Sequence, residues 1–448
     1  MIAAALYPPL GPAYGTAGRG MASVCAGAVS LGLLFGAGVQ APARVAGWLA
    51  HSAWLRRLMV PLALGLTLGS LFGLTGMTWL VLRAPPAQSY YTDIISSTHI
   101  DADLVLSGRN PYTSDAAYRL ALARFPRALA TPLRGSVFGS VYTGYSVNRL
   151  AAVQLRYGAA PEQVPGAFDP RTLHSYPALS FLLYVPWLWI GGTNILLVNL
   201  LVYWVVFAWL VWLTPVGWRH FGALVALAAM PTVTASLIES NEVICIALIL
   251  VAWHWRERIW IGAVLLGLAC AFKQYAWFFA PFFALEVVRG QGWREGLRWA
   301  GAGTASFLLP NLPFLFASPK AWLVSQAIPV TDPFFPGGMG IIELSTSHIL
   351  PFGPQVLYVV LEVATLGTAL WIFARARTQI GASGLVLALL PLFFAFRSTP
   401  NYFAYAPWLA LYAIDVRCTA GMASESSPVV QTVERAWHTL LYPWLRLR

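Results

Sequence analysis

Apolar runs recur from residue 58 to the end of the chain, separated by short breaks that carry arginine. They cover Leu58 to Leu82, Tyr176 to Ile190, Ile195 to Leu213, Phe221 to Ile238, Val243 to Trp255, Ile259 to Phe272 and Trp277 to Val288. Ala300 to Phe316, Val356 to Phe373, Leu385 to Phe396 and Ala404 to Ile414 continue the series. A helix needs about 20 apolar residues to cross the hydrocarbon layer. The pattern therefore predicts an all-α polytopic membrane protein of roughly ten to twelve transmembrane helices. Met21 to Ala41, apolar but built of small residues, reads as a weak first span or an interfacial segment. Three regions follow: an N-terminal segment 1–57, a membrane module 58–416 and a tail 417–448.

Two breaks are too long to be simple connectors, since structureless loops above about 15 residues are uncommon unless functional or disordered. The first, 83–173, carries Tyr90-Tyr91-Thr92-Asp93, then His99-Ile100-Asp101-Ala102-Asp103 and Gly108-Arg109-Asn110-Pro111-Tyr112. Within it Thr113 to Phe125 has helical spacing, with Tyr118, Leu122 and Phe125 on one side, which suits a helix lying in the interface. The second break, 319–351, holds Glu343 and His348 after a Pro336-Gly337-Gly338 turn, placed to close over a site.

Charge orients the chain. Arg56-Arg57, Arg256 to Arg258, Arg289 to Arg298, Arg375 to Arg377 and Arg417 read as cytoplasmic. Both long loops, with Glu239, Asn241, Glu242, Lys273 and Arg397, then share the outer face. One conflict of parity arises: if Tyr176 to Ile190 and Ile195 to Leu213 both cross, Arg219 lies outside and Glu239 inside. A broken element at Pro186, at Gly191-Gly192 or at Pro231 would remove it.

Composition agrees with a membrane body. The chain of 448 residues is 58% hydrophobic and 10% charged, outside the range of soluble domains. Its net charge of +11 lies in clusters between apolar runs, so membrane lipid headgroups, not nucleic acid, are the partners it implies. The scattered Cys25, Cys245, Cys270 and Cys418 indicate neither a disulfide framework nor a metal cluster. Val429 to Arg448 resembles an amphipathic basic helix, a cytoplasmic surface anchor.

Candidate chemistry gathers on one face. Asp93 follows an outward span closely and reads either as a general base for an acceptor hydroxyl or as the cap of a helix from Ile94. His99, Asp101 and Asp103 would share a face in an extended segment, where a divalent cation could bind, and diverge in a helix. A cation is thus allowed by the sequence and not required by it. Lys273, ending an apolar helix, and Arg397 and Arg109 are cations suited to a lipid-borne phosphate. Glu239 and Glu242 read as helix-start residues, as partners of Lys273 or as sugar-hydroxyl ligands. No phosphate-binding loop, dinucleotide fingerprint, zincin helix or nucleophile elbow occurs.

In this order, the motifs resemble the polytopic GT-C-type glycosyltransferases, in particular glycosyltransferase family 87 and mannosyltransferase-like proteins. The resemblance rests on Asp93, on Leu104 to Leu106 with Gly108-Arg109-Asn110-Pro111-Tyr112, and on Tyr176-Pro177-Ala178-Leu179. It continues through Ser240-Asn241-Glu242, Gly267 to Gln274 with Lys273, and Arg397 to Phe403. The chain departs in lacking a second proline after Pro177 and in carrying Glu242 where relatives show a Gly-Gln-x-Asn element. What the resemblance implies is a GT-C-like bundle that takes a sugar, mannose among the candidates, from a polyprenyl-phosphate donor. The acceptor is a lipid, glycan or protein hydroxyl, transfer inverts the anomeric carbon, and no cofactor is needed. Asp93 would be the base, and Lys273, Arg397 and Arg109 would hold the phosphate. Asp101, Asp103, Tyr176, Glu239, Asn241, Glu242 and His348 would contact sugar or acceptor. The implied location is the outer face of a bacterial cell membrane. A transporter or lipid-linked sugar flippase, or a scaffold, is the alternative, although ionisable residues gathered at one face and the lack of internal repeats argue against transport.

Overall fold

The computed structural model describes residues 21–36, 83–90, 92–113, 124–125, 174–214, 241–331, 337–347 and 349–423, with part of 61–81 and Ala223. The described chain is helical apart from two two-residue strands, Gly337–Gly338 and Arg397–Ser398, which pair in parallel. Among the described residues, three helices are long and apolar enough to cross a membrane: Leu196–Leu213, Trp293–Ala317 and Gln355–Leu387. Their side chains are mostly turned outward, only 11% of the Trp293–Ala317 window being buried. An apolar helix hydrophobic all round and unburied within the protein has lipid as its solvent. The protein is an all-α polytopic membrane protein.

Among the described residues, the other apolar runs do not each yield a full span. Leu385 to Phe396 folds into two single turns, Gly384–Leu387 and Leu390–Phe393, and its Leu385, Ala388 and Leu389 are completely buried. That run is core rather than lipid-facing wall. Met21–Gly36 is a helix shorter than a membrane span. A Cβ placed at its Gly27 would meet the Phe393 ring at 3.1 Å and the Met339 carbonyl at 3.6 Å, so it packs on the base of the second loop.

The segment after His174 includes one of the breaks offered for the parity conflict. Leu179–Trp189 is an eleven-residue helix, about 16 Å long at 1.5 Å per residue, half the hydrocarbon thickness. It ends because Gly191 (φ 90°) closes a Schellman turn: Gly191 N–H donates to Leu188 O and Gly192 N–H to Trp187 O. Both ends stay with the first loop. At the start, His174 pairs with Asp101; at the end, Ile195 N–H donates to the Tyr90 hydroxyl, and Asn194 Nδ2 to Ser89 Oγ and Val81 O. This helix therefore runs antiparallel to Asp93–Leu106 as its packing partner, and of the two segments only Leu196–Leu213 is long and apolar enough to cross a membrane. Arg219 and Glu239 lie outside the described residues.

Close helix contact elsewhere rests on small residues. A Cβ at Gly267 would lie 1.9 Å from Ser306 Oγ and 2.2 Å from Gly303 O, so Ile259–Phe272 and Trp293–Ala317 touch backbone to backbone. Ser306 Oγ donates across this seam to Val264 O at 3.0 Å, the packing expected where apolar burial no longer drives association. The second long loop is tied down by the strand pair, with Met339 N–H donating to Ser398 O at 2.8 Å.

Candidate functional site

The first loop condenses onto the helix Asp93–Leu106. Thr92 is its N-cap and Asp93 its first residue, so Asp93 is not itself the cap. Asp93 is partly exposed and sits in the first turn, where a carboxylate complements the positive end of the helix dipole. His99, Asp101 and Asp103 lie in the helix interior, where His99 and Asp103 share a face one turn apart and Asp101 points away from both. Asp101 turns to His174 Nδ1, at 2.5 Å, while Asp103 meets Arg124 and, at 3.5 Å, His99 Nε2. Tyr90 fixes the histidine's orientation. Its hydroxyl accepts from Ile195 N–H and so gives its own proton to His99 Nδ1 at 2.8 Å, leaving Nε2–H to face Asp103. Phe125, from the expected interfacial helix, is buried against Tyr90 and His99; Thr113 is described, while Tyr118 and Leu122 lie outside the described residues.

Burial and pairing set the acidity of these groups. Burial pushes the Asp101 carboxyl up from its ordinary value, opposed by His174. Burial pushes Asp103 the same way, but the hydrogen bonds and charges of His99 and Arg124 outweigh it and hold its carboxyl below the ordinary value. Burial also raises Glu343, against hydrogen bonds from Thr346 and Ser347.

The Gly-Arg-Asn-Pro-Tyr element is a structural device. Gly108 (φ 73°) ends the helix in a Schellman turn, with Gly108 N–H donating to Val105 O and Arg109 N–H to Leu104 O. Asn110 Oδ1 then accepts from Tyr112 N–H at 3.0 Å. The buried Tyr112 hydroxyl donates to Tyr176 O at 2.8 Å. Arg109 is left exposed at the opposite end of a 14-residue helix from Asp93, about 20 Å away along its axis.

From Tyr112 the structure leads to an extended strap, His174 to Pro177, whose first three carbonyls are held by distant side chains. Ser325 Oγ donates to His174 O, Gln274 Nε2 to Ser175 O at 2.7 Å, and Tyr112 and Gln326 to Tyr176 O. Asn311 Oδ1 accepts from Ala178 N–H at 2.9 Å just beyond. Nothing in the sequence marks Ser325, Gln326 or Asn311 as partners of this strap, because the hydrogen bonds span more than 130 residues.

The strap sets the Tyr176 ring over Lys273 Nζ, 4.7 Å from the ring centroid. Lys273 is the C-cap of Ile259–Phe272 and is 3% exposed. It contacts Glu242 Oε1, and Asn241 Oδ1 lies at 3.5 Å. Glu242, 1% exposed, opens the helix Glu242–His254 with Asn241 as its N-cap. Tyr184, whose hydroxyl donates to Asn199 Oδ1 at 2.6 Å, lies within electrostatic reach of Tyr90 and Glu242. Arg397 arrives from the other end of the chain: its charge and that of Lys273 both reach the Tyr402 phenol. Burial pushes that phenol up to about 12, with Tyr176 adding to the rise and the two cations opposing it.

Tyr176, Asn241, Glu242 and Lys273 are thus brought together by contact, and Arg397 lies within electrostatic reach of Tyr402, as do Tyr176, Glu242 and Lys273. Asp101 and Asp103 sit in their own pairs, and Arg109 stands apart. Glu239 and His348 lie outside the described residues. The sequence model of Glycosyltransferase family 87 matches residues 174–400, which include the strap, Asn241, Glu242, Lys273 and Arg397 and begin downstream of Asp93. No curated protein and no solved structure matches the chain.

Proposed function

The chain belongs to glycosyltransferase family 87 and is a membrane glycosyltransferase, and we propose that it takes its sugar from a polyprenyl-phosphate donor at the outer membrane face, with Asp93 as general base. Family membership sets aside the transporter, flippase and scaffold readings. The observation that carries the proposal is the contact of Lys273 with Glu242, Asn241 and the Tyr176 ring, drawn from three separate parts of the chain, with Arg397 within electrostatic reach of the Tyr402 phenol that Lys273 also reaches. Such a grouping of fixed charges beside apolar helices suits a ligand with one anionic group on a lipid tail.

In the proposed reaction the acceptor hydroxyl gives its proton to the Asp93 carboxylate as its oxygen bonds to the anomeric carbon. The bond from that carbon to the phosphate oxygen breaks on the opposite side, and polyprenyl phosphate leaves with the electron pair. Configuration inverts because attack and departure are in line. Arg397, held beside the Gly337–Gly338 strand, is the cation that offsets the charge growing on the leaving phosphate. Arg109, a helix length from Asp93, takes no part in this scheme. Mannose remains the first sugar to test, with lipid, glycan and protein acceptors.

The test is sugar transfer from a panel of radiolabelled polyprenyl-phosphate hexoses by lipid-reconstituted protein. Loss of a general base costs about 10²- to 10⁴-fold, so Asp93→Asn is expected to drop turnover at least that far while donor binding and melting temperature hold. A variant that keeps more than about a tenth of wild-type turnover would remove Asp93 from the role, since it falls outside that range.

A further inference from the structure

We propose that Glu242, Asn241 and Lys273 form a subsite for adjacent hydroxyls of the transferred sugar, and that the phosphate is held outside it, at Arg397. This rests on the preceding reading only for the placement of the phosphate. Lys273 has the look of a phosphate ligand in the sequence, but in the fold its ammonium is already in contact with the Glu242 carboxylate, both groups almost fully buried. The pair is neutral as a unit. A phosphate entering here would meet a fixed carboxylate at the same distance as the ammonium, and removing water from all three charges would add to the cost.

A neutral hydroxyl meets no such opposition. Glu242 Oε2 is buried and finds no hydrogen-bond partner among the described residues, a condition that favours an incoming donor. The Asn241 amide oxygen is 3.5 Å from Nζ, at the limit of a hydrogen bond. Hence the ammonium, with three N–H groups, has capacity beyond Glu242 Oε1. A sugar hydroxyl is donor and acceptor together, so one can donate to Glu242 Oε2 while its neighbour accepts from Lys273 and donates to Asn241 Oδ1. A lone cation or a lone carboxylate could not read two hydroxyls in this way.

Depth supports the same order. Lys273 and Glu242 are almost fully buried, whereas Tyr176, Tyr402 and Arg397 are only partly buried. A donor entering sugar first would bring its hydroxyls to the neutral pair and leave its phosphate at the arginine. The wall is rigid, because Tyr176 belongs to the strap whose carbonyls are held by Gln274, Tyr112 and Gln326.

The experiment separates sugar from phosphate. Methyl pyranosides of a hexose panel and sugar-free polyprenyl phosphate are titrated separately into reconstituted wild type, Glu242→Gln, Arg397→Met and the double variant Glu242→Gln/Lys273→Met. Binding is read by thermal stabilisation and tryptophan fluorescence. The double variant keeps the shape of the pair without a lone buried charge. The glycoside matching the transferred sugar is expected to stabilise wild type and to bind about tenfold more weakly to both Glu242 variants, the loss of one hydrogen bond to a charged group. Sugar-free polyprenyl phosphate is expected to bind both Glu242 variants like wild type and Arg397→Met about tenfold more weakly. The subsite is overturned if no glycoside binds wild type, if binding survives in Glu242→Gln, or if the double variant loses the sugar-free phosphate. The last result would return Lys273 to the phosphate. A wild type that takes glycosides but no lipid phosphate would uphold the subsite and remove the polyprenyl-phosphate donor.

Discussion

Removing Lys273 alone is expected to harm the fold more than removing Lys273 and Glu242 together. The ammonium and the carboxylate are 3% and 1% exposed and in direct contact, so Lys273→Met strands a carboxylate in a site that excludes water. Breaking a buried pair from one side costs about 3–5 kcal/mol, whereas replacing both partners by neutral groups of similar volume is often neutral or stabilising. At about 2.1 cal/mol/K per residue, a chain of 448 residues unfolds with an entropy near 1 kcal/mol/K, so the single variant should melt about 3–5 °C below wild type. Glu242→Gln/Lys273→Met should melt within about 1 °C of wild type. Melting followed by tryptophan fluorescence in one detergent at neutral pH makes the comparison. Repeating it at high salt should leave the differences unchanged, since buried pairs are poorly screened. A double variant as unstable as the single, or a single variant indistinguishable from wild type, would refute the claim that these two charges matter as a pair.

Two glycines with positive φ should respond differently to alanine. Gly338 (φ 133°) would put a Cβ 1.9 Å from Ser398 O, so Gly338→Ala should part the two strands, speed limited proteolysis of the second loop and weaken binding at Arg397. Gly108 (φ 73°) has nothing within 4 Å, and Gly108→Ala should cost only the left-handed backbone preference, about 1–2 kcal/mol, with site binding unchanged. Asp103 gives a pH test. Its folded value lies below the ordinary 3.8, so it contributes stability that is present above that pH and lost as the pH falls through the folded value. The melting difference between wild type and Asp103→Asn should therefore be full at neutral pH, begin to shrink as pH falls below 3.8 and vanish once pH has passed the lower folded value; a difference unchanged from neutral pH into strong acid would count against the pairing with Arg124 and His99.

What sequence alone determined was the membrane body, since the alternation of apolar runs with arginine clusters follows from the cost of exposing charge to hydrocarbon, a cost each segment bears by itself. The same local logic marked Asp93, Lys273, Glu242 and Arg397 as charges too costly to sit there idly. It offered Pro186, Gly191-Gly192 and Pro231 alike as breaks, and only the folded chain shows a helix ending at Gly191. Tertiary structure decided which of these charges meet. Glu239 and Glu242 both read as possible partners of Lys273, and the fold sets Glu242, 31 residues away, against it. The two aspartates after His99 read as one cluster until helical rotation sends Asp101 to His174 and Asp103 to Arg124. Those outcomes depend on contacts between distant segments, which no local pattern encodes, and they turn a row of candidate charges into a neutral buried pair, a partly buried arginine and a separate carboxylate at a helix start.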